Sequence, residues 1–241
     1  MTSAKTTRSN EGRGELCVNI AGIAIAMTSD DSNFTLDLQR GMEKFLVDPI
    51  DPDVRVQAGW GDLSTEKGGN VIFDSGGVWR LSVEDGIYRF CFFSPLFGSL
   101  PYKAASFSPD FSFGKVVLHR PYFPADRAIY PLEYPLDELV LMHLLARGRG
   151  AEVHACGVVD DLGNGHLFIG QSGGGKTTMA RLWEKQKGIT ILSDDRIVLR
   201  EIENRIWMYG TPWHGEASLA EASRAPLKRI YFLRHGEKNA L

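Results

Sequence analysis

The sequence predicts an α/β protein, α+β overall, in which a β-rich N-terminal domain precedes a phosphate-loop (P-loop) domain. Three observations predict it. From Val71 to Phe93, aromatic and β-branched runs alternate with glycine-containing turns, the pattern of a meander. A proline-rich stretch from Pro121 to Pro135 then interrupts the chain. Beyond it, from Leu167 to Leu192, an apolar strand, a glycine-rich loop, a helix and another strand follow in order. The expected division is a disordered tail at 1–14, a β-rich domain at 15–125 and a P-loop domain at 130–241, whose C-terminal completeness stays open.

In the N-terminal half, Val18 to Ala21 and Ile23 to Ala26 are short apolar stretches broken at Gly22. Phe34 to Val47 is expected to hold a helix, with Phe34, Leu38, Phe45 and Leu46 partly on one face. Pro49 and Pro52 end it, because proline cannot continue the ladder of helix hydrogen bonds. Val71 to Phe73, Val78 to Val83 and Ile87 to Phe93 read as the meander strands. The aromatics of this half read as core, and its polar residues show no catalytic spacing.

In the second half, Pro135 opens a helix with Asp137 and Glu138 in its first turn, Leu139 to Leu145 as its body and Gly148 as its stop. Val153 to Val159 is a strand, Asp161 to Gly165 a turn and His166 to Ile169 a second strand. A helix from Lys176 to Lys187 ends at Gly188 and leads into the strand Ile189 to Leu192. Ile197 to Leu199 and Ile206 to Tyr209 form a hairpin across Glu203-Asn204, and Ile230 to Leu233 is the last strand.

Composition bounds the function. The 241 residues are 43% hydrophobic and 24% charged, enough apolar material for one large domain or two small ones. A net charge of −3, with 27 scattered basic residues, gives no reason to expect nucleic acid or an anionic membrane as partner. No apolar run approaches the ~18 residues that span a bilayer, and Met1 to Gly14 lacks the apolar centre of a signal peptide. Cys17, Cys91 and Cys156 form no Cys-x-x-Cys pair, so reduced thiols and a cytoplasmic setting are expected.

Gly170-Gln171-Ser172-Gly173-Gly174-Gly175-Lys176-Thr177 fits G-x-x-x-x-G-K-[ST] at every fixed position. Glycines let successive backbone N–H groups turn toward phosphate oxygens, and the following helix adds unpaired donors at its N-terminus. Lys176 is the candidate for the β- and γ-phosphates, Thr177 the candidate magnesium ligand, and Thr178 completes the loop's exit. ATP and Mg²⁺ are therefore the expected ligands.

Asp194 and Asp195 directly follow a strand. One can hold Mg²⁺ and the other can accept a proton from an attacking hydroxyl; which does which is open, because neighbours on a strand point to opposite faces unless the chain turns. His154, on the strand before the loop, reads equally as a site residue or a packed histidine. His214 and Glu216 lie in a polar loop but supply too few ligands for a metal site.

These residues, from Glu152 to Leu233, resemble the kinase domain of HPr kinase/phosphorylases and, more distantly, ATP-dependent phosphoenolpyruvate carboxykinases. The carriers are His154, the loop Gly170 to Thr177 and Ser193-Asp194-Asp195-Arg196 close behind it. Gly210-Thr211-Pro212-Trp213-His214-Gly215 is shared with bacterial HPr kinase-like proteins. The resemblance implies a P-loop domain of the phosphoenolpyruvate carboxykinase-like type. It also implies transfer of the γ-phosphate of ATP to a hydroxyl, classically a serine, of a protein, peptide or small molecule. Lys176 and Thr177 would bind phosphate and metal, Asp194 and Asp195 would supply metal binding and the base, and His154 would lie beside the transferred phosphate. The chain lacks the Leu-Glu-Ile-Arg-Gly segment of that family and has Lys176-Thr177-Thr178 where the family has Lys-Ser-Glu, so HPr itself is not carried over as acceptor. The competing expectation is an ATP-binding regulatory or assembly module without phosphoryl transfer; a homo-oligomer is compatible with either.

Overall fold

A computed structural model describes residues 14–48, 51–64, 69–124, 127–234 and 236; the expected tail, apart from Gly14, lies outside them. The described residues fall into two units. One takes those within 1–17, 25–39 and 48–133, the other those within 18–24, 40–47 and 134–241.

The first sheet has eight strands: β1 (Glu15–Ile20), β2 (Ile23–Thr28), β3 (Val54–Gly61), β4 (Asn70–Asp74), β5 (Trp79–Glu84), β6 (Ile87–Phe92), β7 (Lys103–Phe107) and β8 (Phe113–His119). Their order is β1-β2-β3-β8-β7-β6-β5-β4. Strands β4 to β8 are an antiparallel meander, as the alternation of aromatic runs and turns requires. Strand β3 is inserted parallel to both β2 and β8, pairing Val54 with Ile25 and Arg55 with Phe113. Phe90, Phe92, Phe107 and Phe111 are fully buried, and the Phe107 and Phe111 rings stack at 5.2 Å. A side chain at Gly114 would collide with the Phe107 ring, which fixes that glycine.

The helix expected from Phe34 to Val47 does not form. Leu36 bridges to Ile129 as extended chain, Gly41 turns at φ +94°, and only a single 3₁₀ turn, Glu43–Phe45, remains. Tertiary pairing overrides a weak helical periodicity here.

The second unit holds both α-helices found among the described residues, α1 (Leu136–Leu144) and α2 (Lys176–Glu184). A π-type turn continues α1 to Arg149, with Gly148 at φ +82°. Its strands are β9 (Ala151–Val159), β10 (Gly165–Ile169), β11 (Thr190–Ser193), β12 (Arg196–Ile202), β13 (Arg205–Gly210) and β14 (Arg224–Phe232). The sheet order is β10-β14-β13-β12-β9-β11, and a further pairing of β10 with β9 closes β9, β10, β14, β13 and β12 into a ring. Ala155, Leu167, Ile197 and Met208, from four strands of the ring, share one core with Leu192. Alternate positions Cys156, Val158 and Phe168 face the other way and pack with Met179, Ala180 and Trp183 of α2.

The expected α/β fold class, with a phosphoenolpyruvate carboxykinase-like P-loop kinase domain, is therefore corrected: the protein is β-rich, with two sheets. The physical reason lies in the connections. Strands β9 and β10 are joined by the short turn Asp160 to Asn164, with the Asn164 N–H on Asp160 Oδ1 at 2.8 Å, and so must run antiparallel. Strands β11, β12 and β13 continue the antiparallel pairing, leaving β10 with β14 as the one parallel pair in this sheet among the described residues.

Candidate functional site

The loop leaves β10 at Gly170 and enters α2 at Lys176. Gly173 and Gly175 sit at φ +75° and +99°, which side chains rarely adopt, so the sequence of the loop follows from its backbone. The Gly174 N–H donates to Gln171 O at 2.9 Å and tightens the loop. Lys176 is buried and reaches back across it, donating from Nζ to Gly170 O at 2.8 Å and Gln171 O at 3.0 Å. An ammonium has three protons, so one donor remains for a further acceptor. Thr177 is half-buried and Thr178 exposed in the first turn of α2, beside the positive end of the helix dipole.

Strands β11 and β12 run along the same edge of β9, and the chain bends between them at Asp194 and Asp195. The Ala155 N–H donates to Asp195 O at 3.0 Å, so main-chain pairing continues through the bend. The bend separates the two acids. Asp194 is buried and accepts the Gly215 N–H on Oδ1 and the Ala217 N–H on Oδ2, each at 2.9 Å. Asp195 turns to His154, with Oδ1 at 2.9 Å from Nε2, and to Arg196, with Oδ2 at 2.7 Å from Nη1. Burial pushes the Cys156 thiol up to about 12, with Asp194 adding to the rise and Lys176 opposing it. Asp194 and Lys176 thus act around the same buried sulfur, while Asp195 belongs to His154.

Arg196 is held by three acidic side chains. Its Nε lies 3.1 Å from Glu138 Oε1 and 3.3 Å from Glu152 Oε1, in addition to the Asp195 contact. Glu138 comes from α1 and Glu152 from β9, so one guanidinium ties helix, strand and bend together. Among the described residues, none hydrogen-bonds to the buried Glu152 Oε2. Burial first, and then the negative charge of Glu138, raise the Glu152 pKa to about 8, with Arg196 opposing.

The segment Gly210 to Gly215 wraps the aspartates. Thr211 Oγ1 donates to Arg196 O at 2.7 Å, and Ser193 Oγ donates to Trp213 O at 3.2 Å. A side chain at Gly215 would begin 3.0 Å from Asp194 Oδ2, which accounts for glycine beside the acid. His214 is exposed, with its ring Nδ1 3.1 Å from Gly215 O. Among the described residues, no group of three or more His, Cys, Asp or Glu is disposed to hold a metal ion, so His214 and Glu216 join no such group.

A cavity of about 910 Å³ opens over the loop, lined by Val153, His154, Ile169, Gly170 to Gly174, Phe232, Leu233 and Arg234. His154 and the first five loop residues singled out in the sequence thus form its walls. Gly175, Lys176, Thr177, Thr178, Asp194 and Asp195 are not among the lining residues. Sequence reasoning missed Glu138 and Glu152, whose spacing in the chain gives no sign that Arg196 gathers them. It missed the main-chain donors of Gly215 and Ala217, which no side-chain motif announces. It also missed Phe232 and Arg234 at the end of the last strand.

Among the described residues, no helix is long and apolar enough to cross a membrane. No protein-family model matches the chain, and no curated protein matches it.

Proposed function

We propose that the unit carrying the loop binds Mg·ATP and transfers its γ-phosphoryl group to the hydroxyl of an acceptor, a serine of a protein or peptide or a small-molecule alcohol. The observation that carries this reading is the 2.9 Å contact of His154 with Asp195, with His154 in the wall of the cavity that the loop lines. Phosphoryl transfer needs charge neutralisation and an oriented nucleophile more than covalent help. The loop N–H groups and Lys176 supply the first, and the His154–Asp195 pair supplies the second.

In this reading the acceptor oxygen bonds to the γ-phosphorus as the bond from phosphorus to the bridging oxygen breaks. The hydroxyl proton passes to the His154–Asp195 pair, and ADP leaves. Thr177 and Asp194 would hold Mg²⁺, which would supply charge neutralisation for the phosphates when bound. The donor set fits: an ionised carboxylate has about four lone-pair sites, and the two N–H bonds to Asp194 leave others available. The proposal extends to a cytoplasmic setting, on the sparse cysteines and the lack of any Cys-x-x-Cys pair, and to the absence of nucleic-acid and membrane partners, on the charge distribution. The test is release or transfer of labelled γ-phosphate by the purified chain, offered serine-containing peptides and simple alcohols.

A second reading draws on a different observation. Both Asp194 oxygens are engaged by the backbone of the Gly215 to Ala217 segment, which suits an anchor for that segment. A chain that binds Mg·ATP in titration yet never loses the γ-phosphate to any acceptor or to water is a regulatory or assembly module instead.

A further inference from the structure

Tyr231 and Phe232 are neighbours on β14 with opposite fates. The Tyr231 ring stacks on Phe168 at 4.8 Å in the core beneath α2. Phe232 points the other way and is 73% exposed, in the wall of the cavity over the loop. The end of β14 is tied to the loop: Phe232 pairs with Ile169, and the Leu233 N–H donates to Ile169 O at 2.7 Å. Strand β9, which carries His154, borders the opposite edge of β10, with Ala155 paired to Ile169. The cavity therefore runs from a histidine on one side of the phosphate loop to a bare aromatic ring on the other.

We infer that Phe232 is the stacking platform for the base of the bound nucleotide, with Arg234 beside it on the phosphates nearest the sugar. The inference rests on the nucleotide reading above and gives the bound molecule a direction. The γ-phosphate lies at His154 and Asp195, and the base lies at Phe232. The 73% exposed ring faces a cavity that it shares with the phosphate loop, and a planar base would cover it. Arg234 is the one arginine or lysine in the lining, and a guanidinium suits phosphate oxygens. Stacking accepts every base because each has a π-face, so Phe232 makes the site a general nucleotide site with weak discrimination between bases.

Calorimetric titration of the full chain with Mg·ATP and with Mg·tripolyphosphate tests this. Wild type should bind ATP more tightly than tripolyphosphate. Phe232→Ala should weaken ATP by roughly 5- to 100-fold and leave tripolyphosphate unchanged. Phe232→Trp should keep ATP affinity and show quenched indole fluorescence on binding. Equal affinity of wild type and Phe232→Ala for ATP overturns the platform, as does a wild type that binds both ligands alike; in those cases the phosphate loop reading stands. A wild type that binds neither ligand overturns the nucleotide reading and the platform with it.

Discussion

His154 Nε2 stands 2.9 Å from Asp195 Oδ1, although one residue lies on β9 and the other at the bend between β11 and β12. A histidine held by a carboxylate can take a proton and keep its charge stabilised. Substituting Asp195→Asn or His154→Gln should leave Mg·ATP binding nearly intact and lower phosphoryl transfer by ~10²–10⁴-fold. Wild-type turnover in both variants would remove the pair from the chemistry.

Lys176→Ala should abolish tight Mg·ATP binding, because Lys176 is the charge the loop is built around and its third proton is the donor left for phosphate. Calorimetry on the folded variant checks it. An unchanged affinity would show that the loop holds no triphosphate.

Asp194→Asn should act on stability as well as binding. The amide can accept from Gly215, but its NH₂ then confronts the Ala217 N–H in a buried place, at a cost of about 1–3 kcal/mol. Urea denaturation should show that loss. Titration over a range of Mg²⁺ concentrations should show weaker Mg·ATP binding; full affinity at limiting Mg²⁺ would leave Asp194 as an anchor alone.

Glu152 gives the protein a pH-dependent contribution. Its folded pKa of about 8 lies above the ordinary 4.5, so the folded chain binds this proton more strongly than the unfolded one. The resulting stability is fully present below about 4.5 and is lost as pH rises through about 8. Glu152→Gln keeps the shape and cannot ionise. Unfolding free energies from about pH 5 to about pH 9 should fall more steeply for wild type than for this variant. Parallel curves would mean that Glu152 stays ionised throughout.

Local features were legible in the sequence and pairings were not. The hairpin turn at Glu203-Asn204 was readable, and both residues take positive φ, +52° and +58°, as a two-residue turn of that hand requires. The meander strands β4 to β6 were readable from their glycine-containing turns, whereas β7 and β8, which extend the meander, were not singled out. The loop motif specified a strand, a loop and a helix, but it constrains only its own residues. Which strands flank it depends on hydrogen bonds between distant segments, such as Gly165 with Leu227, and these closed a mainly antiparallel ring where an α/β domain was expected. The insertion of β3 between β2 and β8 is equally non-local. At the site, residue types named Asp194, Asp195 and His154, yet only the bend in the chain decided that Asp195 meets the histidine while Asp194 meets the main chain.

Strand β9 shares one edge with β12 and β11 and gives the other to β10. Its central amides are thus shielded on both sides, and freeing them means dissolving the ring rather than peeling off a border strand. His154 lies one residue before the run that pairs with β10, and is itself paired to Arg196 of β12. The loop is tied across itself by the Lys176 bonds and by the Gly174 N–H on Gln171 O. The histidine that would align a nucleophile thus stands on a strand bordered on both edges, while the phosphate loop is cross-braced by the very lysine that would meet the anion.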